Sequence, residues 1–258
     1  MKPSRTTKQN FSVRPGEVYR LGEHRLACGD AADTTLIGKL VGKERIQLVL
    51  TDPPYGVAYV EGKAGLGKLA SPKVIANDHE QSEPEYRDFT QHWIAAMKPL
   101  LTPRNAVYIF NSDKMIFALR DGMREAGCRF AQLLIWVKSH AVMGRLDYLP
   151  QHEVIAYGWV GTHEFKKGKD KSVIFHPKPS KSPLHPTMKP VGLLRRLILN
   201  SSDVGGVVYD PFGGSGSTLI ACEQTKRRCL MVELDPEYCG VIITRWEKLT
   251  GKKAERIT

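Results

Sequence analysis

Two short stretches carry groups able to do chemistry. The first is Leu50-Thr51-Asp52-Pro53-Pro54-Tyr55-Gly56. Two prolines fix φ and remove two N–H donors, so the turn is rigid and its carbonyls remain as acceptors. The Asp52 carboxylate and the neighbouring Pro53 carbonyl could then hold the two hydrogens of an exocyclic amine. Tyr55 offers a flat face on which a base can stack. A plain rigid turn with Tyr55 in the core fits the same residues equally well. The second stretch, residues 207–218, reads VVYDPFGGSGST. It runs from an apolar strand through glycines, which permit a tight turn and close approach of a ligand to backbone. It is not a phosphate-binding P-loop, because Ser217 stands where the lysine would be, and Leu219 replaces the third glycine of G-x-G-x-x-G. Glu233 follows roughly 20 residues after Asp210, where an acid at the end of the next strand bonds ribose hydroxyls. Glycines for approach, an acid for ribose and no phosphate clamp suit a nucleoside without a phosphate chain.

Strands and helices must position both turns. Arg45–Leu50 is a short apolar run ending at the Asp-Pro-Pro turn, so a strand stops there. Ser82 and Glu85 form a capping-box signature, followed by Tyr86, Phe89, Trp93, Ala96 and Met97 on one helical face. Further strands are predicted over 105–110, 131–138, 153–157, 206–209 and 229–233. Helices are predicted over 113–126, from Pro190 onward, over 215–224 and over 237–249. Strands alternating with helices imply an open parallel α/β sheet. Residues 58–81 read as a long loop beside the active site, and residues 161–189 as a second, basic loop.

The chain has 258 residues, 41% hydrophobic, enough for one well-buried domain. No apolar run approaches the ~18 residues of a membrane span, and the N-terminus lacks the apolar core of a secretory signal. Five cysteines, odd in number and without a CxxC pair, indicate neither a disulfide framework nor a metal site. The net charge is +11, which points to a polyanionic partner, nucleic acid first. The excess is concentrated in residues 1–14, a basic N-terminal arm, in 161–189 and in 243–258. Lysines in such segments can follow a phosphate backbone without reading sequence.

Taken together the two motifs are far more specific than either alone. The sequence resembles the amino-group DNA methyltransferases that use S-adenosylmethionine and act on adenine N6 or cytosine N4. Asp52-Pro53-Pro54-Tyr55 matches that family's catalytic DPPY, and Phe212, Gly214 and Gly216 match its cofactor motif FxGxG. The catalytic motif precedes the cofactor motif, as in the circularly permuted β-type order. Leu184–Pro190 looks like the HPT-x-KP element, Cys28-Gly29-Asp30 like the segment at the cofactor adenine, and Ile135–Lys138 and His152-Glu153 like further landmarks.

The resemblance spans about residues 17–245. It implies a Rossmann-like methyltransferase fold: α/β, a mostly parallel sheet with helices on both faces, in one domain over 15–258. It implies methyl transfer with Asp52, Pro53, Pro54 and Tyr55 as the catalytic set. The cofactor S-adenosylmethionine would meet Asp30, Asp210, Phe212, Gly213, Gly214, Ser215, Gly216 and Glu233, with Lys189 reaching its carboxylate end. His185 is read as structural, and no metal is required. The partner implied is double-stranded DNA with the target base flipped out, and a homodimer is compatible with it. The setting implied is the cytoplasm of a bacterium or of a phage-infected host. The leading Asp favours adenine over cytosine. The alternatives are a cytosine-N4 enzyme, a DNA-binding subunit with an inactive methyltransferase fold, and a methyltransferase acting on RNA or protein. The short stretch between Glu153 and His185, where target recognition would sit, argues for weak sequence selectivity.

Overall fold

Residues 12–57, 80–142, 146–177 and 188–258 are described by the computed structural model. Most of the N-terminal arm, nearly all of the 58–81 loop, and residues 178–187 with His185 lie outside them. The strands are β1 (Val18–Leu21), β2 (His24–Cys28), β3 (Ile46–Thr51), β4 (Leu101–Asn111), β5 (Arg129–Val137), β6 (His152–Trp159), β7 (Thr162–His163), β8 (Val173–Phe175), β9 (Val207–Asp210), β10 (Arg228–Glu233) and β11 (Glu255–Arg256). The helices are α1 (Thr34–Val41), α2 (Glu83–Met97), α3 (Ile116–Glu125), α4 (Val191–Ser201), α5 (Ser217–Thr225) and α6 (Pro236–Thr250).

One sheet runs in the order β11-β1-β2-β10-β9-β3-β4-β6-β5-β8, with β7 beside β4. Its centre, β2-β10-β9-β3-β4, is parallel, while β6 is antiparallel to both β4 and β5. Alternate side chains enter two separate cores, as the period of a strand buried on both faces requires. On β4, Ala106, Tyr108 and Phe110 join the core under α4, α5 and α6, whereas Val107 and Ile109 join that under α1, α2 and α3. The expected three layers, helix on sheet on helix, are present. In β3 the alternation slips: Ile46 and Leu48 belong to opposite cores, and the β3–β4 register shifts between them.

The chain leaves β9 towards β10 on one side and β3 towards β4 on the other. The carboxyl ends of β9 and β3, which pair with each other, therefore form a switch point, the usual ligand crevice of such sheets. The capping box at Ser82 and Glu85 starts α2 as expected. Pro190 is the N-cap of α4.

Residues 161–177 differ from the loop expected there. After β6 has run away from the crevice, Thr162 and His163 pair with Arg104 and Asn105 near the start of β4, at the far end of the sheet. β8 then returns alongside β5 towards the crevice. The connection must cross the whole sheet because α4 starts at the crevice, and two short strands satisfy its backbone on the way.

Candidate active site

A cavity of about 320 Å³ opens at the switch point and is lined by both turns. Thr51, the last residue of β3, donates its hydroxyl to Asp210 Oδ1 at 2.7 Å, and the Phe212 amide donates to the same oxygen at 3.2 Å. Asp210 therefore ties the two turns together. Burial pushes its carboxyl up to about 7, against the opposing hydrogen bonds from Thr218 and Thr51.

On the Asp52 side, Tyr55 donates its hydroxyl to Asp52 Oδ1 at 2.7 Å, and Lys189 Nζ donates to Asp52 Oδ2 at 2.5 Å. Lys189 also pairs with Glu153 Oε2 at 3.2 Å, and Lys138 Nζ holds Glu153 Oε1 at 2.9 Å. The result is a chain of alternating charges, Lys138–Glu153–Lys189–Asp52. The lysine side chains are only 5% and 8% exposed, so each needs its carboxylates. Lys189 lies 5.6 Å from the Tyr55 ring centroid and 5.1 Å from that of Phe110.

The titration of these groups follows from their neighbours. Burial raises Asp52, and the Lys189 charge opposes the rise without cancelling it. Burial also acts against Glu153, but Lys189 and Lys138 outweigh it and bring the carboxyl down to about 2. Burial disfavours the Lys189 ammonium, and the two carboxylates more than restore it, so it stays charged. Two positive and two negative groups leave this side of the cavity neutral overall.

On the glycine side, Gly213, Gly214, Ser215 and Gly216 wrap the end of β9 into α5. Gly214 and Gly216 have φ of +52° and +78°, in the left-handed region that glycine adopts without strain. Arg245 of α6 pins the turn by donating to the Ser215 carbonyl at 2.9 Å and to Ser217 Oγ at 3.1 Å. The Phe212 ring packs on Phe89 and edge-on to Trp93 of α2, at centroid distances of 5.7 and 5.5 Å. Glu233 ends β10; its Oε2 accepts the Gly214 amide at 2.7 Å and its Oε1 the Asp235 amide at 2.8 Å. Burial outweighs those amides and pushes its carboxyl up to about 7. Asp30, after β2, is exposed on the same cavity and accepts the Ala32 amide at 2.8 Å.

The structure thus brings Asp52, Pro53, Pro54, Tyr55, Asp30, Asp210, Glu233 and the 212–215 turn to one cavity. Gly216 stands just behind as the N-cap of α5. Lys189 also lines the cavity, and its ammonium engages Asp52 and Glu153. The resemblance expects it at the carboxylate end of the cofactor; here its ammonium sits between two half-buried carboxylates. The resemblance marks Glu153 and Lys138 only as landmarks, and the structure makes them part of the charge chain. Lys138 directly follows β5 and Glu153 lies at the start of β6, places that do not say locally what either charge meets.

The donor set suits a nucleoside. An ionised carboxylate offers about four lone-pair directions. Glu233 spends two on backbone amides, leaving two for a ribose diol. Among the described residues no cluster of His, Cys, Asp or Glu could hold a metal ion, and no helix is long and apolar enough to cross a membrane.

Comparison with known proteins agrees with this geometry. A family model described as DNA methylase matches residues 46–244. Type II methyltransferase M.HpaI of Haemophilus parainfluenzae is 24% identical over 242 residues, covering 84% of this chain and 72% of that protein. Type II methyltransferase M2.DpnII of Streptococcus pneumoniae is 24% identical over 223 residues, covering 79% and 83%. Among solved structures, the M1.HpyAVI–SAM complex superposes with a TM-score of 0.63 at 23% identity, covering 85% of this chain and 98% of that one. The cytosine-N4-specific PvuII DNA methyltransferase superposes with a TM-score of 0.70 at 17% identity, covering 94% of each. With the family match spanning most of the sheet and both turns, the chain belongs to the DNA methylase family of adenine-N6 and cytosine-N4 methyltransferases, whose methyl donor is S-adenosylmethionine.

Proposed function

We propose that this enzyme methylates the exocyclic N6 amine of adenine in double-stranded DNA. The observation that carries the reading is the sharing of one cavity by Asp52, Tyr55 and the Glu233–glycine turn. S-adenosylmethionine, when bound, supplies a sulfonium methyl already activated for attack. Glu233 would hold its ribose and Asp30 its adenine amine, with residues 212–216 under the methionine part.

An aromatic amine is a poor nucleophile because its lone pair is delocalised into the ring. Asp52 and the Pro53 carbonyl accept its two N–H bonds and so localise that pair on nitrogen. Lys189 and Tyr55 fix the Asp52 carboxylate in one orientation and leave it two further lone-pair directions. Acceptors preorganised where positive charge develops are the electrostatic part of catalysis, and alignment of the amine supplies the proximity part. Tyr55 stacks on the base.

The amine is paired inside a duplex, so the base must be flipped out at a cost of a few kcal/mol. The β5–β6 hairpin suits that partner. Its stem, closed by the Val142 amide on the Pro150 carbonyl at 3.0 Å, lines the cavity at Val142 and Pro150. Tyr148 beyond the stem is 92% exposed, with Leu146 also exposed. Apolar side chains of this kind can enter a distorted base stack.

The relatives' designation as Type II methyltransferases supports a role beside a restriction endonuclease, in the cytoplasm of a bacterial or phage-infected host. A second reading, cytosine N4, is favoured by the likeness to the cytosine-N4-specific PvuII enzyme. Digesting enzyme-treated DNA to nucleosides and identifying the methylated product by mass tests both. N6-methyldeoxyadenosine supports the first reading, N4-methyldeoxycytidine replaces it with the second, and no methylated nucleoside removes both.

A further inference from the structure

Lys189 is shared between two carboxylates, Asp52 at 2.5 Å and Glu153 at 3.2 Å, and Glu153 is itself held by Lys138 at 2.9 Å. This arrangement is costly to bury, and orienting Asp52, which Tyr55 and Lys189 do by themselves, needs neither Glu153 nor Lys138. An ammonium bound to Asp52 alone would neutralise the carboxylate and weaken it as an acceptor for an amine. A second carboxylate competing for the same ammonium prevents that.

We infer that Glu153 is a positioning residue for methyl transfer, dividing the Lys189 ammonium between two carboxylates so that Asp52 keeps its strength as an acceptor, with Lys138 setting how strongly Glu153 competes. The inference rests on the proposed role of Asp52 in binding the amine. The geometry behind it is set by strand pairing: Trp136 lies opposite Glu153 and Val137 opposite His152, which puts Lys138, one residue on, beside the Glu153 carboxylate. Neither Lys138 nor Glu153 belongs to the Asp-Pro-Pro-Tyr turn.

The charged and titratable groups around Asp52 come from several elements. They are Tyr55 on its own turn, Lys189 before α4, Glu153 on β6 with Lys138 behind it, and Asp210 on β9. Glu153→Gln removes a negative charge that disfavours ionisation of Asp52 and leaves Lys189 to Asp52. The acid limb of the methyl-transfer rate should move to lower pH by about one unit. The plateau rate should fall about tenfold as acceptor strength is lost. Lys138→Gln leaves Glu153 free to draw Lys189 away, so its acid limb should move to higher pH.

The test is single-turnover transfer of labelled methyl to unmethylated genomic DNA between pH 5 and 9, with S-adenosylmethionine affinity by calorimetry as the control for folding. Opposite shifts in the two variants, with affinity kept within about twofold, support the inference. Shifts in one direction, or a loss of rate without a shift, overturn it and leave Glu153 a structural residue. Should Glu153→Gln fail to bind S-adenosylmethionine, an unshifted or downward-shifted Lys138→Gln limb alone overturns it, and an upward shift supports it. Carboxylate 13C NMR titration, with Asp52→Asn assigning the resonance, reads the same shifts without turnover. Opposite shifts there in a protein inert towards DNA would uphold the charge sharing and reject the methyl-transfer reading instead.

Discussion

At the end of β3 the Asp52 carboxylate is held by a phenol and an ammonium; at the end of β10 the Glu233 carboxylate is held by two backbone amides. Both are largely out of water. The amides fix Glu233 in place yet leave burial in charge of its proton, and it sits at about 7. Asp52 has a full positive charge against it, and that charge opposes the effect of burial. The backbones differ in the same sense. Prolines stiffen the Asp52 turn by removing conformations, while left-handed glycines let the 213–216 turn reach a shape that other residues resist. One turn is built to present a charged acceptor, the other to admit a ligand against the backbone. The two should therefore fail in different ways when altered.

The largest expected difference comes from the carboxylates themselves. Asp52→Ala should lower methyl transfer by about 10³-fold, the scale of removing a preorganised transition-state partner. S-adenosylmethionine affinity should persist, because Lys189 keeps Glu153 as its counter-ion and is not left unpaired. Labelled-methyl transfer with calorimetry on the same sample reads both. Full activity in this variant would sink the assignment of Asp52.

Glu233→Ala should do the reverse. Loss of charge-assisted hydrogen bonds to a ribose costs about 1.5–3 kcal/mol, or roughly 10- to 150-fold in Kd. The rate at saturating cofactor should be nearly kept. An unchanged dissociation constant removes Glu233 from the cofactor site.

The fold was legible in the sequence wherever apolar runs met punctuation. β3 before Asp52-Pro53, α2 behind its capping box and β9-α5 around the glycines all stand where the pattern puts them. The pair β1 and β2 is a different case. His24 and Arg25 break its apolar pattern, yet β2 lies well inside the sheet, because His24 Nε2 is within 2.9 Å of Glu223 and its Nδ1 accepts the Cys229 amide. A buried histidine satisfied by residues about 200 positions away leaves no local signal. The same holds for Glu153 and Lys138, whose meeting with Asp52 is made by sheet pairing across about 100 residues. The basic segment 161–189 was legible as charge but not as position. Lys166 is spent on Glu164 and Asp203, and Asp170 is held by Arg196 and Asn200, so residues 166–170 pack along α4.

Protonation of Glu233 separates the two turns again, more gently. Its folded pKa is raised, so the proton is released only near pH 7. A ribose diol needs the ionised form as acceptor, so S-adenosylmethionine affinity should fall as pH drops below 7, by at most about tenfold per unit. The sign for stability is opposite. A raised carboxyl stabilises the ligand-free fold below its unfolded pKa, and that contribution is lost as pH rises from about 4.5 towards 7. Glu233→Gln should flatten both curves. A pH-independent Kd in the unaltered protein would show that the diol does not rely on this carboxylate.

The smallest effect tests the backbones. A Cβ on Gly216 would sit 3.1 Å from Ile242 Cγ1 and Cγ2, and its φ of +78° is unfavourable for alanine. Gly216→Ala should cost about 1–2 kcal/mol from the left-handed backbone alone, with any shift of Ile242 added. Pro54→Ala acts mainly by returning freedom to the unfolded chain and should cost only about 0.4–1 kcal/mol. Urea unfolding of both variants at one pH reads the two costs side by side. The order matters more than either value. If Pro54→Ala proves the more damaging, Pro54 contributes through native contacts, and the contrast between a stiffened turn and a permissive one does not describe how this crevice is built.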